Sequence, residues 1–171
     1  MNKEKLAQES IEFRPISEED NEFLYKLYAS TRAEEMTLTG WNEIDIEQFL
    51  RMQFNLQHTQ YLENYKKDGT FEIILLKGEP AGRLYVQRKK DDIRIVDISL
   101  LPEFRRQGTG AKIIKSLINE ADQKKLPLSL HVEQFNPALG LYERLGFEKK
   151  DLTGIYFFMV RTPISKDPND E

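Results

Sequence analysis

Apolar and polar positions alternate along this chain in patterns that predict its elements one after another. Ile11-Glu12-Phe13-Arg14 alternates as a strand does, and Pro15 ends it. Ser17-Glu18-Glu19-Asp20 reads as a helix start, with its acids where the helix dipole favours them. Phe23, Leu24, Leu27 and Tyr28 then repeat at helical spacing. A second helix is expected over about residues 44–65, with Ile46, Phe49, Leu50 and Gln53 on one face. Strands come next, over residues 71–76, 81–88 and 93–101. The short turns between them, at Gly78-Glu79-Pro80 and at residues 89–92, make them an antiparallel meander.

An amphipathic helix spans about residues 108–124, carrying Ile113, Ile114, Leu117, Ile118 and Ala121 on its apolar stripe. Residues 128–132 form a short apolar strand. Asn136-Pro137 then opens another helix, because Asn caps free N–H groups and Pro needs no donor at the first position. That helix holds Leu139, Tyr142 and Leu145, and Gly146 stops it in a left-handed cap. Residues 147–150 and 155–161 close the chain as a hairpin around Thr153-Gly154. The order is β-α-α-β-β-β-α-β-α-β. The helix between residues 101 and 128 is a crossover, so the strands it joins should run parallel.

Composition narrows the class. With 171 residues the chain is expected to fold as one domain, 1–171, with its core over about 11–161 and frayed polar ends. An 11% aromatic content argues against general disorder, and no apolar run approaches the roughly 20 residues of a membrane helix. The polar start has no apolar leader segment, so a cytoplasmic protein away from the membrane is expected. A net charge of -4 argues against nucleic acid as the main partner. Absence of cysteine removes disulfides, thiolate nucleophiles and thiolate zinc sites, and two histidines are too few to suggest another metal site.

The chemistry concentrates where the third meander strand meets the long helix, in Leu100-Leu101-Pro102-Glu103-Phe104-Arg105-Arg106-Gln107-Gly108-Thr109-Gly110-Ala111. Such a loop aims backbone N–H groups at one spot, and the helix dipole adds partial positive charge there. Gly108 and Gly110 have no side chain to keep a phosphate away, and Arg105 and Arg106 can add charge-assisted hydrogen bonds. A dinucleotide fingerprint would need a small residue where Ile113 stands, and no Gly-Lys-Ser or Gly-Lys-Thr exists for a Walker loop. Taken alone, the segment fits a plain strand-to-helix turn as well as a phosphate or pyrophosphate cradle.

A second segment, Asn136-Pro137-Ala138-Leu139-Gly140-Leu141-Tyr142-Glu143-Arg144-Leu145-Gly146-Phe147, stands downstream. Together the two segments resemble the GNAT N-acetyltransferase family. Its acetyl-CoA motif is Gln or Arg-x-x-Gly-x-Gly or Ala, matched by Arg105, Gly108 and Gly110. Its later motif is an Asn before a Tyr-bearing helix closed by Gly-Phe, matched by Asn136, Tyr142, Gly146 and Phe147. The resemblance is firm over about residues 71–160, and the element order extends it back to Ile11.

The resemblance implies an α/β fold of the acyl-CoA N-acyltransferase type, with a mixed, mainly antiparallel central sheet flanked by helices. It implies acetyl-CoA as co-substrate, no metal, and acetyl transfer to a primary amine by direct attack. Coenzyme A pyrophosphate would sit on Gln107, Gly108, Thr109, Gly110 and Ala111, with Arg105 and Arg106 nearby. The pantetheine arm would lie along Ile98 to Leu100 like an added strand, where two parallel strands splay. Asn136 would contact that arm or hold the splay open. Tyr142 would protonate the departing thiolate, since a phenol (pKa about 10) stays protonated until needed. A core position with its hydroxyl at the rim is the alternative for Tyr142.

Attack also needs something to accept a proton from the amine. Asp97 and Glu133 are the base candidates, Glu35 a third, and a solvated surface charge is the alternative for each. The acceptor region draws on Trp41, Arg83 and Tyr85, with Gln53, Gln57, His58 and Tyr61 beside them, because Arg83, Tyr85 and Gln87 share one strand face. The acceptor is a small-molecule or peptide amine, and a homodimer is left open. Competing functions are a catalytically lapsed acyl-CoA sensor or scaffold, and a nucleotide-phosphate binder unrelated to coenzyme A.

Overall fold

The computed structural model describes residues 10–164; the polar ends expected to fray lie outside the described residues. Its strands are β1 (Ile11–Pro15), β2 (Gly69–Leu76), β3 (Glu79–Arg88), β4 (Ile93–Leu100), β5 (Leu128–Glu133), β6 (Glu148–Thr153) and β7 (Tyr156–Arg161). Its helices are α1 (Asn21–Thr37), α2 (Glu43–Asn64), α3 (Thr109–Lys124) and α4 (Leu139–Arg144). The strands form one seven-stranded sheet in the order β1-β2-β3-β4-β5-β7-β6. β4 and β5 pair parallel across the α3 crossover, whereas β1–β2, β5–β7 and β6–β7 pair antiparallel. The sheet is therefore mixed, as expected. Among the described residues no helix is long and apolar enough to cross a membrane.

The chain divides into two compact units, one up to Leu84 and again over Ile98–Arg105, the other over Tyr85–Asp97 and from Arg106 onward. In the first, Leu24, Tyr25 and Tyr28 of α1 meet Leu50 and Phe54 of α2 and Ile73 of β2. Phe54 sits at ring-centroid distances of 6.0 Å from Tyr25 and 5.9 Å from Tyr28. Burying a side chain of that size is worth roughly 1.5–3 kcal/mol. The entry to α1 is fixed by Asp20, which accepts two 2.8 Å hydrogen bonds from Arg14 and one from the Ser17 N–H. Those donors hold the Asp20 carboxyl below its usual pKa, the Arg14 guanidinium being the largest cause. Asn42 caps α2 by accepting from the Asp45 N–H at 2.9 Å.

The turn between β2 and β3 differs from the expectation. It consists of Lys77 and Gly78, both at positive φ (51° and 81°), and Glu79-Pro80 already belongs to β3. Positive φ at both central positions is the two-residue hairpin whose twist matches that of the strands.

In the second unit the α3 stripe is buried as the spacing requires, and Leu128, Leu130 and Val132 of β5 are buried with it. Bidentate pairs tie this unit's rim: Arg88 to Glu120 at 2.7 and 3.0 Å, and Arg161 to Asp122 at 2.7 and 3.1 Å. Arg88, with Lys124 behind it, pulls the Glu120 carboxyl down to about 2. β6 is the edge strand, and its register with β7 is interrupted between Lys149 and Asp151.

Candidate active site

The parallel ladder between β4 and β5 runs from Ile93↔Leu128 to Ile95↔Leu130, and β4 then continues to Leu100. Burial changes at the same place. Ile93 and Ile95 are buried with Arg94 half-buried between them, whereas every residue from Val96 to Leu100 is half-buried. An interior strand that stops alternating is a place where a ligand could lie alongside the backbone. Ile98 and Leu100, expected against the cofactor arm, belong to this stretch. Gly82 on β3 lets the backbones come close here, because a Cβ there would collide with the Ser99 carbonyl and Leu100.

Beyond Leu100 the chain makes a 3₁₀ turn over Pro102–Phe104, anchored by the Leu101 N–H on Ala81 O at 2.8 Å. Arg105 comes next, in extended conformation. Its Nε donates to Leu100 O at 2.8 Å and its Nη2 to Ser30 Oγ at 3.1 Å. Arg106 then takes a left-handed φ of 59°, and Gly108 one of 80°. Thr109 begins α3 and is buried, while Gly108 and Gly110 border open space: an added Cβ on either would meet no atom within 4 Å. The first N–H groups of any α-helix lack partners within the helix and carry its positive dipole end. α1 and α2 set acids in their first turns, and α3 has none. The positive end of α3 therefore meets no carboxylate from its own first turn.

Tyr142 lies on α4, and the residues after it lock it in place. The Phe147 N–H donates to Tyr142 O at 3.0 Å and the Gly146 N–H to Glu143 O at 3.1 Å, with Gly146 at φ 94°. This pair of bonds is a Schellman cap, which requires the left-handed residue that glycine supplies. The Phe147 ring meets the Tyr142 ring edge-on at 5.7 Å. Tyr142 is only 7% exposed. Burial, and then the nearby negative charge of Asp97, push its phenol up to about 12. The structure thus brings Asp97 and Tyr142 into one electrostatic environment and makes Tyr142 a weaker acid than a free phenol.

Glu133, at the end of β5, accepts a long 3.5 Å hydrogen bond from the Tyr156 hydroxyl. Asn136 does not cap α4 as expected. Its Oδ1 accepts from the Ala138 N–H at 2.8 Å, and the helix begins only at Leu139, with Ala138 as the cap residue. The Asn side chain has closed a local turn on its own backbone, placing Pro137 inside that turn instead of at the first helical position. Glu35, the third base candidate, forms an exposed 3.4 Å pair with Arg32.

The acceptor candidates separate. Trp41 is 49% exposed, just before α2, and packs edge-on against Phe49. Arg83 is buried, donates to Gln57 Oε1 at 2.9 Å and lies 5.7 Å from the Tyr61 ring centre. Tyr85 is fully buried on the same strand. His58 stacks on Phe54, and burial with the Arg83 charge holds its pKa below the usual value. Two participants were invisible in the sequence. Ser30 offers no local signal, since its partner Arg105 stands far along the chain, and Tyr156 reads only as a strand aromatic.

The chain is similar to known proteins in sequence and in fold. A family model described as the acetyltransferase (GNAT) family matches residues 18–147. A putative ribosomal protein bS18-alanine N-acetyltransferase of Bacillus subtilis is 31% identical over 88 residues, 50% of this chain and 58% of that protein. An N-alpha-acetyltransferase of Saccharolobus solfataricus is 36% identical over 67 residues, 36% of this chain and 40% of that protein. The chain therefore spans about half the length of the curated relatives it matches. Among solved structures, the PaiA N-acetyltransferase of Thermoplasma acidophilum in complex with coenzyme A superposes with a TM-score of 0.65 at 21% identity, covering 90% of this chain and 99% of that one. The ribosomal-protein-S18-alanine N-acetyltransferase of Escherichia coli gives 0.63 at 19%, covering 94% and 98%.

Proposed function

The chain belongs to the GNAT acetyltransferase family, an enzyme family, and we propose that it transfers an acetyl group from acetyl-CoA to the α-amine of a protein or peptide. One observation carries the acetyl-CoA part: a glycine loop with open space over Gly108 and Gly110 runs into a long helix whose first turn holds no acid. Backbone N–H groups of residues 107–111 hold the pyrophosphate there, and Arg106 adds charge beside them. Ile98 to Leu100 and Asn136 take the arm that carries the acetyl group. The α-amine part is supported by the relatives named for alanine and N-alpha acetylation.

The chain's residues then have defined work. The attacking nitrogen loses a proton, and the departing sulfur gains one. Tyr142 holds its proton at Oη through the pH range of life, because burial and Asp97 raise it to about 12. Complete transfer to a free thiolate of pKa about 8.5 would run uphill by roughly 5 kcal/mol. Tyr142 therefore donates a hydrogen bond as charge grows on sulfur, and yields its proton only as one reaches it from the nitrogen side. Asp97 and Glu133 are the carboxylates proposed to take that proton from the amine. Of the acceptor candidates, Trp41 is the exposed one and the one a peptide touches.

The test is thiol release from acetyl-CoA with three acceptors: peptides with a free N-terminal alanine, N-terminally blocked lysine peptides, and a polyamine. Release with the first set, with mass spectrometry placing the acetyl group on the α-nitrogen, is the expected result. Release with lysine peptides or the polyamine alone would replace the α-amine reading. Absence of acetyl-CoA binding would remove the transferase reading itself.

A further inference from the structure

We propose that Arg105 is a positioning residue for the coenzyme A loop, not a phosphate ligand, and that Ser30 on α1 is its working partner. The inference rests on the acetyl-CoA reading of the site and changes the task of one residue within it.

Sequence logic assigns Arg105 to phosphate because it is basic and stands at the first motif position. Its guanidinium is committed elsewhere. Nε holds the carbonyl of Leu100, the last residue of β4, at 2.8 Å, and Nη2 holds Ser30 Oγ at 3.1 Å. The hydroxyl is oriented for this. It has one proton, given to Leu27 O at 2.6 Å, which leaves its lone pairs to accept from Arg105. A directed chain thus runs from Arg105 through Ser30 into the α1 backbone.

The two anchors are the strand end where the loop departs and a helix far away in sequence. Arg105 itself is extended, after a 3₁₀ turn whose closing bond is its own N–H on Pro102 O at 3.2 Å. The next residue, Arg106, must enter the left-handed region at φ 59°. A non-glycine residue there carries a conformational cost that its surroundings must hold in place. The fork of Arg105 clamps the residue immediately before that point. Swinging it toward a phosphate would break both bonds and strip the Leu100 carbonyl of this donor. Arg106, exposed, remains the basic side chain of the pair with its charge available to a ligand.

Lysine cannot replace such a fork, because one ammonium does not reproduce two fixed donors in a plane. A charge contact to phosphate, by contrast, tolerates lysine and is weakened by salt.

Coenzyme A is titrated calorimetrically into the full chain and into R105K, R105M, S30A, S30A/R105M and R106M, each at low and high salt. We expect R105K and R105M to weaken binding alike, by about 5–20-fold, with the wild-type salt dependence retained. S30A should weaken it about 2–5-fold on its own and add little in the R105M background, since both changes remove one tether. R106M should flatten the salt dependence. Near-wild-type affinity in R105K, a flattened salt dependence in R105M, or an inert S30A would each overturn the proposal. Should R105M fail to fold, R105K and S30A carry the test. A wild-type chain that binds no coenzyme A would overturn the underlying acetyl-CoA reading, a result distinct from any of these.

Discussion

At Lys77-Gly78 two successive residues take positive φ, 51° and 81°, and the chain re-enters the sheet at once. At Arg106 and Gly108 the values are 59° and 80°, and the chain passes from there into a helix of sixteen residues. Both segments pair a basic residue with a glycine, and both leave open space where a glycine Cβ would be. Backbone conformation and exposure therefore do not distinguish a hairpin turn from a candidate binding loop. The difference lies in the role of the next N–H groups. After Gly78 they enter a strand. After Gly108 they form the positive end of α3, where no acid stands in the first turn.

Substitutions put that difference at risk. The largest expected effect lies away from both turns and separates chemistry from binding. Tyr142→Phe should lower turnover about 100-fold or more while the affinity for coenzyme A stays within about twofold. An equal loss of both would make Tyr142 a packing residue. Next, Gly108→Val forces a branched side chain into the left-handed region and into the space proposed for pyrophosphate. Coenzyme A affinity should drop about tenfold or more, read by calorimetry, in a chain that still melts cooperatively. Gly78→Val is the control. It should lower stability by about 1–2 kcal/mol, read in urea, without moving the affinity. If the two glycine variants behaved alike toward coenzyme A, the functional distinction between the two turns would be lost.

Smaller effects concern pH. The Glu120 carboxyl lies at about 2 in the fold against 4.5 ordinarily. A depressed carboxylate contributes stability that is complete above its unfolded value and disappears as pH falls from about 4.5 toward 2. Glu120→Gln should flatten urea-measured stability in that window and leave the curve near neutrality parallel to wild type. The smallest change belongs to Tyr142. Because its phenol lies near 12, the turnover profile should show no ionisation of this residue up to about pH 10. A step that appears there and vanishes in Tyr142→Phe would contradict the environment described.

Much of this was legible in the residues themselves. The α3 stripe, the crossover between β4 and β5, and the Gly146-Phe147 stop each arise from local spacing, and each forms as expected. Legibility ended where a side chain chose between a near and a distant partner. Asn136 had two ways to satisfy backbone donors and closed its own turn instead of capping α4. Lys77 took a conformation usually left to glycine, which moved the hairpin back from Gly78-Glu79-Pro80. Arg105 carries the charge that a phosphate reading needs, yet its partner Ser30 is recognisable only once α1 is in place. Arg83 and Tyr85 alternate like residues lining a cleft, yet both are buried on β3, and the Gln57 side chain that accepts from Arg83 comes from α2, which spacing along the strand does not reveal.

Everything proposed for catalysis depends on residues 107–111 receiving the negative end of the acyl donor. Amide NMR of the wild-type chain titrated with coenzyme A, with ATP and NAD as controls, reads those N–H groups one by one. The largest saturable shifts with coenzyme A are expected on Gln107, Gly108, Thr109, Gly110 and Ala111. Unmoved loop signals while coenzyme A shifts residues elsewhere, or equal shifts with all three ligands, would contradict that placement.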